Sequence, residues 1–411
     1  MKTVVIVAGC ESYRIQDFVE AAAVLRLRTL VASDAESPAA VDGFIKVDLD
    51  DHFAAAATIA EEASGADAVV AADDSGVIVA AHAAGLMGLA HNPLFAAAAT
   101  RDKLAMREAL AAANLSQPAF LVGPAQEAAQ LGARLGYPVV IKPRRLSASR
   151  GVIRANSTAE ASAAAERASE IALSAGHDPA DGLLVEKYVP GVEIAIEGLL
   201  NNGELEVLAV IDKPIPLEGP YFAETVFVTP SRLPTDTIRA ATSLVAAGCH
   251  ALGLESGPVH AEVRVPTTGE PKLIEIAART IGGLCGRSLA FGLLGETLET
   301  VVLRGAIGEP TPETKPARPA SGVLMLPVEN GGILNGIEGI ETVQALPGIR
   351  SVDMTVTTGT RVEALPEADR YLGFVFAAGE SAAEVEDSLR EAAALLTVII
   401  DGEDVGPLLP N

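Results

Sequence analysis

The sequence predicts a mixed α/β and α+β protein made of three units, and three observations support this. Strand and helix signals alternate over residues 1–99, and the texture changes from Thr100 onwards. A segment rich in Pro and Thr, Thr311–Pro319, has no periodicity and reads as a linker. Because alternating strands and helices are typical of a parallel sheet with helices on both faces, we predict an N-terminal α/β unit at 1–99. A central unit at 100–310 and a small C-terminal α+β unit at 320–411 follow.

Short apolar runs rich in β-branched residues mark the strands of the N-terminal unit. The predicted strands are Thr3–Ala8, Thr29–Ala32, Phe44–Val47 and Ala68–Ala71, and the predicted helices are Gln16–Leu27 and His52–Ala63. Gly9 follows the first strand, but a lone glycine is not the fingerprint of a dinucleotide site. We therefore predict no NAD site in this unit.

The central and C-terminal units mix helices with apolar strands. The predicted helices lie within Arg101–Pro118 and at Ala125–Leu135 and Thr235–Ala251, and the predicted strands are Pro138–Pro143, two strands within Gly182–Leu200, and Glu206–Lys213. Pro258–Val265 and Pro271–Arg279 are separated by a short turn, which predicts a hairpin. The C-terminal unit is predicted to be rich in strands and to end in a helix near Ala383–Leu396.

The composition excludes several classes of partner. The formal net charge is −24 and the acidic residues are spread along the chain, which disfavours nucleic acid and anionic membranes. The sequence has no apolar run of ~20 residues, the length that a membrane helix needs, and the first apolar run is too short for a signal peptide. Cys10, Cys249 and Cys285 form no CxxC motif and cannot all pair. This fits a reducing cytoplasm better than a disulfide framework or a zinc site.

Basic and small residues stand where a phosphate group could bind. Lys142 lies within the apolar strand Pro138–Pro143, where an unpaired charge is costly, so a bound anion is the better explanation. The polar residues of the loop that follows are Arg145, Ser147, Ser149 and Arg150, and the loop closes with Gly151. Small residues let backbone N–H groups approach a phosphate, and arginines add positive charge. An ordinary polar turn is the alternative interpretation of this loop.

Two glutamates on the predicted hairpin are candidate metal ligands. Glu262 and Glu275 are each flanked by apolar strand residues, so on adjacent strands they could face one cleft. Two close carboxylates repel each other, and a divalent cation relieves that repulsion. Oxygen ligands together with phosphate favour magnesium. The alternative is a pair of glutamates that face solvent.

These motifs, in this order, resemble those of the ATP-grasp superfamily, and the resemblance spans Thr100–Arg304. The superfamily has one lysine on a helix before the fold, here Lys103, and another at the end of a strand, here Lys142. The basic loop follows, then the stretch EKYVPGVE at Glu186–Glu193, and then the two hairpin glutamates. Lys103 by itself would read as an ordinary surface lysine.

The resemblance implies a role for each motif. The implied contacts with the phosphates of ATP are Lys103, Lys142, Ser147, Ser149 and Gly151. The implied lining of the adenine pocket, largely through backbone groups, is Glu186, Lys187, Tyr188 and Val189. Glu193 would take the ribose hydroxyls. Glu262 and Glu275 would hold Mg²⁺, with Mn²⁺ as an alternative ion. Many relatives have a further ligand two residues after the second glutamate, where this chain has Ala277, so the number of ions is left open.

The resemblance also implies substrate contacts. Arg279 would grip the substrate carboxylate or the oxygens of an acyl phosphate, since a guanidinium suits both. A plain salt bridge is the alternative for Arg279. Gly282 and Gly283 would open a loop where the backbone approaches the substrate.

One stretch is similar to the branch of L-amino acid ligases, which make dipeptides from free amino acids. Within Gly219–Pro234, Glu224 matches an acidic residue that contacts an amino group in that branch, although ordinary strand placement is an equal rival. A histidine often sits three residues later in the branch, and this chain has Phe227 instead. The unit from Ser321 onwards also resembles that branch.

The function implied is an ATP-dependent ligase that activates a carboxylate as an acyl phosphate and joins it to an amine. Glu262, Glu275 and Arg279 would carry the catalysis. The expected partners are small carboxylates and amines, without nucleic acid or membrane, and the family implies a homodimer. A carboxylase-type or purine-pathway ATP-grasp enzyme is one alternative, and a non-catalytic ATP-binding sensor or scaffold is another. The sequence names neither the acid nor the amine.

Overall fold

The structure is a computed structural model that describes residues 1–10, 12–35, 41–310, 317–328 and 330–409. Most of the predicted linker Thr311–Pro319 therefore lies outside the described residues. The strands and helices that follow are those of the described part of the chain.

The N-terminal unit is built on a parallel sheet. Its elements are β1 (Thr3–Val7), α1 (Ile15–Val24), β2 (Arg28–Ser33), β3 (Gly43–Lys46), α2 (His52–Glu62), β4 (Ala68–Ala71) and α3 (Val77–Leu86). The strand order is β3-β2-β1-β4, and every pairing is parallel. Successive residues of a strand point to opposite faces. Val5 accordingly packs among residues of α2 and α3, and Ile6 among residues of α1, which confirms helices on both faces.

A small antiparallel sheet comes next. Its region contains α4 (Leu94–Ala99), α5 (Lys103–Ala112), β5 (Phe120–Gly123), α6 (Ala128–Leu135), β6 (Val139–Pro143), β7 (Ile153–Ala155), α7 (Thr158–Ser174) and β8 (Leu183–Lys187). The strand order is β5-β8-β6-β7. Helices α6 and α7 cover one face, where Leu131 and Ala165 pack against Ile141.

The chain then enters a large sheet. The elements are β9 (Val192–Asn201), β10 (Glu204–Lys213), β11 (Val226–Thr229), α8 (Thr235–Leu252), β12 (Ser256–Val265), β13 (Lys272–Ala277), α9 (Arg287–Phe291) and α10 (Leu298–Ala306). Strands β12 and β13 pair antiparallel, so the predicted hairpin is confirmed. Ile194 and Ile196 of β9 face the core with Val245 of α8 and Leu110 of α5. The other face of these strands is therefore free to form a site.

The C-terminal segment completes the large sheet and adds a further small one. Its elements are β14 (Ala320–Leu326), β15 (Gly332–Glu338), α11 (Ile340–Gln344), β16 (Ile349–Met354), β17 (Arg361–Val362), β18 (Gly373–Gly379), α12 (Ala382–Leu395), β19 (Thr397–Ile400) and β20 (Glu403–Asp404). The large sheet has the order β13-β12-β9-β10-β11-β14-β18-β16, and the small one β17-β15-β19-β20. The prediction that this unit ends in a helix is wrong, because Val398 and Ile400 after α12 enter the C-terminal core and pair as strand.

Candidate active site

A cavity of about 620 Å³ lies where the N-terminal unit, the small sheet and the large sheet meet. It is lined by most of the residues singled out from the sequence: Lys103, Lys142, Ser147, Ser149, Glu186, Lys187, Tyr188, Val189, Glu193, Glu224, Glu262, Glu275, Arg279, Gly282 and Gly283. The structure thus brings together residues from distant motifs in one place.

Gly151 is the exception among the predicted residues. It does not line the cavity, and its N–H donates to the carbonyl of Pro366 at 2.9 Å. Its φ of 67° lies in the left-handed region, and a Cβ there would approach Pro143 to 2.7 Å. The expectation of a phosphate contact is therefore corrected, because glycine is required here by backbone conformation and packing.

The cavity face of the large sheet carries charged residues in rows across neighbouring strands. Arg264 of β12, Glu193 of β9 and Lys213 of β10 lie directly opposite one another in register. Glu262 and Glu275 are opposed in the same way across the hairpin. Because opposed residues of an antiparallel pair share a face, the pairing alone directs these side chains to the same side.

Lys213, which the sequence analysis did not single out, is the centre of this face. Its amine donates to Glu193 at 2.7 Å, to Glu262 at 2.9 Å, and also to Glu224. Burial opposes the charge of Lys213, but the three carboxylates hold its pKa well above its usual value. Burial raises the pKa of Glu224 to about 7 against the charge of Lys213, and Glu262 adds to the rise.

The three carboxylates around Lys213 also form the one group of possible metal ligands found among the described residues. The ammonium of Lys213 pairs with all three carboxylates, so a cation already occupies the space between them. Of the two ligands predicted from the sequence, Glu262 belongs to this group and Glu275 does not. Lys213 and His260 both face Oε1 of Glu262, while Glu275 has Lys103 Nζ at 3.9 Å from its Oε2. Carboxylate oxygens with spare acceptor capacity are the ligands that Mg²⁺ prefers.

On the small sheet, Lys142 is paired, so the assumption of an unpaired charge is wrong. Its Nζ lies 2.7 Å from Glu186 Oε2, and Arg107 Nε lies 2.6 Å from Glu186 Oε1. Burial opposes the charge of Glu186, but these two cations lower its pKa to about 2. The Glu186 side chain is thus an ion-pair centre, a role that the adenine assignment did not include. Arg107 could have been suspected, because it follows Lys103 by one helical turn.

The loop after β6 is tied to the start of α5. Lys103 donates its amine to the carbonyl of Leu146 at 2.5 Å and its N–H to Arg144 at 3.0 Å. Arg144 in turn pairs with Asp102 at 2.5 Å. Ser149 in this loop has a φ of 57°, a conformation that non-glycine residues seldom adopt. Ser147 and Ser149 line the cavity, whereas Lys103 links this loop to Glu275 of the hairpin.

The predicted adenine segment runs along the edge of the cavity. The N–H of Lys187 donates to Ala119 at 2.8 Å and that of Tyr188 to Pro138 at 3.1 Å. The Lys187 amine donates to the carbonyls of Gly136 and Tyr137, which ties the end of β8 to the segment before β6. Arg264 donates to the carbonyl of Val189 at 3.0 Å. The backbone of this segment is therefore held rigidly from both sheets.

Arg279 and the loop with Gly282 and Gly283 follow β13, the strand that carries Glu275. Arg279 Nε lies 3.1 Å from Asp74 Oδ2 of the N-terminal unit, so the salt bridge considered for it exists. A Cβ on Gly282 would meet nothing within 4 Å, which leaves room for a ligand. Gly283 has a φ of 61°, and a Cβ there would approach Phe374 to 2.9 Å. Gly283 is therefore constrained by packing as well as by its place in the cavity.

His260 lines this end of the cavity and forms a buried pair with Glu197. His260 Nδ1 lies 2.5 Å from Glu197 Oε1, and Glu197 Oε2 accepts the N–H of Ile281 at 2.9 Å. Burial opposes the charge of His260, but Glu197 raises its pKa to about 9. Glu197 thereby connects β12 to the loop that follows Arg279.

Two family comparisons match this architecture. Residues 135–288 match an ATP-grasp domain, the region that contains strands β6, β7 and β8 of the small sheet and the hairpin glutamates. The chain therefore carries an ATP-grasp domain. Residues 324–401 match L-amino acid ligase C-terminal domain 2. The resemblance stated from the motifs is confirmed, and so is the predicted fold class.

The relatives of this chain include named ligases. Alanine–anticapsin ligase of Bacillus subtilis is 28% identical over 238 residues, which cover 54% of this chain and 50% of that protein. D-alanine–D-alanine ligase of Geobacter sulfurreducens is 30% identical over 211 residues, which cover 50% of this chain and 63% of that protein. The chain thus spans less than two thirds of either curated relative.

A solved structure matches almost the whole chain. The L-amino acid ligase from Bacillus licheniformis superimposes with a TM-score of 0.81 and 25% identity, covering 98% of this chain and 99% of that one. In the part of the chain that the structure describes, no helix is both long enough and apolar enough to cross a membrane.

Proposed function

We propose that this protein is an ATP-dependent ligase that activates a carboxylate as an acyl phosphate and couples it to an amine, forming an amide. ADP and phosphate are the other products. The observation that carries the proposal is one cavity with oppositely charged walls. Lys103 and Lys142 line the cavity with Glu186 on one side, whereas Glu193, Glu224, Glu262 and Glu275 line it with Arg264 on the other. A triphosphate fits the first wall, and a divalent cation or an ammonium group fits the second.

In this proposal the nucleotide binds between the two sheets. Lys142 and Lys103 neutralise the phosphates, and Ser147 and Ser149 present the polar groups of their loop to them. Lys187, Tyr188 and Val189 would line the adenine end of the cavity. Hydrogen bonds hold the backbone of this segment in place before a nucleotide binds. Glu193 remains the candidate for the ribose hydroxyls, since a carboxylate bonded by two cations can still accept from a hydroxyl.

Glu262 and Glu275 would hold Mg²⁺, with Mn²⁺ as the alternative, and the ion would neutralise charge on the transferring phosphoryl group. Arg279 would bind the carboxylate that attacks the γ-phosphorus and would then stabilise the oxyanion formed when the amine attacks the acyl carbon. Glu224 would accept the ammonium group of an amino-acid substrate. Gly282 leaves the space that this substrate needs.

Two other interpretations stay open under this proposal. A carboxylase-type or purine-pathway ATP-grasp enzyme would consume ATP only with bicarbonate or a nucleotide precursor. A non-catalytic sensor would bind ATP without releasing phosphate. The named ligases among the relatives favour an amine acceptor.

The experiment that tests the proposal is phosphate release from ATP and magnesium across a panel of amino acids, singly and in pairs. Mass spectrometry of the products identifies the bond that forms. Release that needs two amino acids and yields a dipeptide would support the proposal. Release that needs bicarbonate instead would replace it with a carboxylase, and ATP binding without any release would favour the sensor.

The metal assignment predicts a loss of turnover on Glu275→Ala. Because the cation would lose one of its two protein ligands, we expect phosphate release to fall by more than about a hundredfold, comparable to removal of a key electrostatic group. The matched control is Glu206→Ala, an exposed glutamate on β10 of the same sheet, which should keep its rate. Normal ADP release by the Glu275 variant would sink the assignment.

The homodimer and the cytoplasmic location also remain proposals. Light scattering of the purified chain, with and without ATP, tests the first of them. A monomer at all concentrations would reject it.

A further inference from the structure

Asp74, which no motif singled out, is one of the charged residues by which the N-terminal unit lines the cavity. Asp74 begins a short 3₁₀ turn after β4. Its Oδ2 lies 3.1 Å from Arg279 Nε, and its Oδ1 lies 2.5 Å from Arg101 Nη1. Burial opposes the charge of Asp74, but Arg279 and Arg101 hold its pKa well below its usual range. The carboxylate is therefore charged at neutral pH and shared by two guanidinium groups.

The backbone around Arg279 is held by other groups. Arg14, which precedes α1, donates to the carbonyl of Ile281 at 2.8 Å and to that of Thr280 at 3.4 Å. Arg14 is itself fixed by Glu299 at 3.1 Å. Glu197 accepts the N–H of Ile281 from the other side. The course of the loop therefore does not depend on Asp74.

The orientation of the Arg279 side chain does depend on Asp74. Its Nη1 donates to the carbonyl of Thr280 at 2.9 Å, and its Nε faces Asp74. Among the residues that the structure describes, Nη2 makes no hydrogen bond, so it is the nitrogen left for a ligand in the cavity. A guanidinium fixed on two sides presents its third side in one direction only.

We propose that Asp74 is a positioning residue, which orients the guanidinium of Arg279 from the N-terminal unit toward the substrate carboxylate. The inference rests on the proposed function, in which Arg279 binds that carboxylate. It assigns the N-terminal unit a part in the reaction, because the arginine of the ATP-grasp domain is aimed by a carboxylate from another unit. Misplacement of a reacting group by about 1 Å can cost about a hundredfold in rate, so the orientation has a measurable value.

The test is Asp74→Asn, which keeps the size of the side chain and removes its charge. We expect kcat with the amino-acid pair found active in the panel to fall by about ten- to a hundredfold, with an unchanged KM for ATP. The matched control is Asp17→Asn, which also breaks a carboxylate–arginine pair between the N-terminal unit and the rest, with Arg287 at 2.6 Å. Asp17 does not line the cavity, so this variant should lose stability and keep kcat.

A second measurement does not depend on activity. The Nε–Hε resonance of Arg279, identified by its loss in Arg279→Lys, should be protected from exchange in the unmodified protein and lost in Asp74→Asn. If Asp74→Asn does not fold, Asp74→Glu keeps the charge on a longer arm and should shift the resonance and lower kcat. A folded Asp74→Asn with unchanged kcat, or an unmoved resonance in either variant, would overturn the proposal. If no substrate pair supports turnover, the proposed function fails, and the resonance still decides the role of Asp74.

Discussion

Two ion-pair centres border the cavity, and they contain cations and carboxylates in opposite proportions. Beside the small sheet, Arg107 of α5 and Lys142 of β6 share the single carboxylate of Glu186. On the large sheet, three carboxylates share the single amine of Lys213. Each centre is buried, and Arg264 and His260 also face carboxylates of the second one. The comparison shows that the cavity borders both a carboxylate shared by two cations and an amine shared by three carboxylates.

The largest effect should come from removing the amine that the three carboxylates share. Lys213→Met leaves three carboxylates close together without their shared cation, so we expect the free energy of unfolding to fall by about 3–5 kcal/mol. Urea unfolding in the presence of a chelator measures this. The control is Lys187→Met, since that amine binds two backbone carbonyls and no carboxylate, and it should cost about 1 kcal/mol. Equal stability of Lys213→Met and the unmodified chain would contradict the picture of a single centre.

An intermediate effect is expected at the centre beside the small sheet. Lys142→Met removes the cation that faces the nucleotide, and a charged hydrogen bond is worth about 1.5–3 kcal/mol. We therefore expect the Kd for ATP to rise by about ten- to a hundredfold. Calorimetric titration measures it, with Lys2→Met, a partly exposed lysine outside the cavity lining, as the control. An unchanged affinity for ATP would contradict a contact between Lys142 and the phosphates.

The smallest effect is a difference in pH dependence between the two centres. Glu186, with its pKa lowered from 4.5 to about 2, contributes stability that is present above pH 4.5 and is lost as the pH falls toward 2. Glu224, with its pKa raised from 4.5 to about 7, contributes stability that is present below pH 4.5 and is lost as the pH rises toward 7. Unfolding curves from pH 2 to 8 with a chelator should show both.

Two amide variants assign these changes to the two residues. Glu186→Gln should reduce the acid-side dependence only, and Glu224→Gln should reduce the change between pH 4.5 and 7 only. The same pH profile in both variants would show that neither carboxylate carries the difference.

Much of the site was predictable because it is local. The turn between the hairpin strands is short, so the sequence places Glu262 and Glu275 on adjacent strands, and a register shift next to Glu262 sets them opposite each other. The apolar pattern around Lys142 likewise predicts a buried strand, which β6 is. The sequence predicts a helix as the last element of the C-terminal unit, and this is wrong. Strands β19 and β20 are too short to be recognised from the sequence without their pairing with β15.

The partners of the charged groups were not predictable. Lys213 ends a strand as Lys142 does, yet nothing near it in the sequence announces Glu262, 49 residues away. Arg107 and Glu186 are 79 residues apart, and Arg14 and Ile281 are 267 apart. No periodic pattern connects such positions.

The sequence by itself therefore determined the alternating strands and helices of the N-terminal unit, the hairpin and most residues able to carry the chemistry, since these follow from periodicity and side-chain type. Only the tertiary structure decided that Lys142 is paired, that Gly151 packs away from the cavity, and that Asp74 meets Arg279. The physical reason is that burial makes each charge depend on its neighbours in space, and folding rather than the order of residues chooses those neighbours.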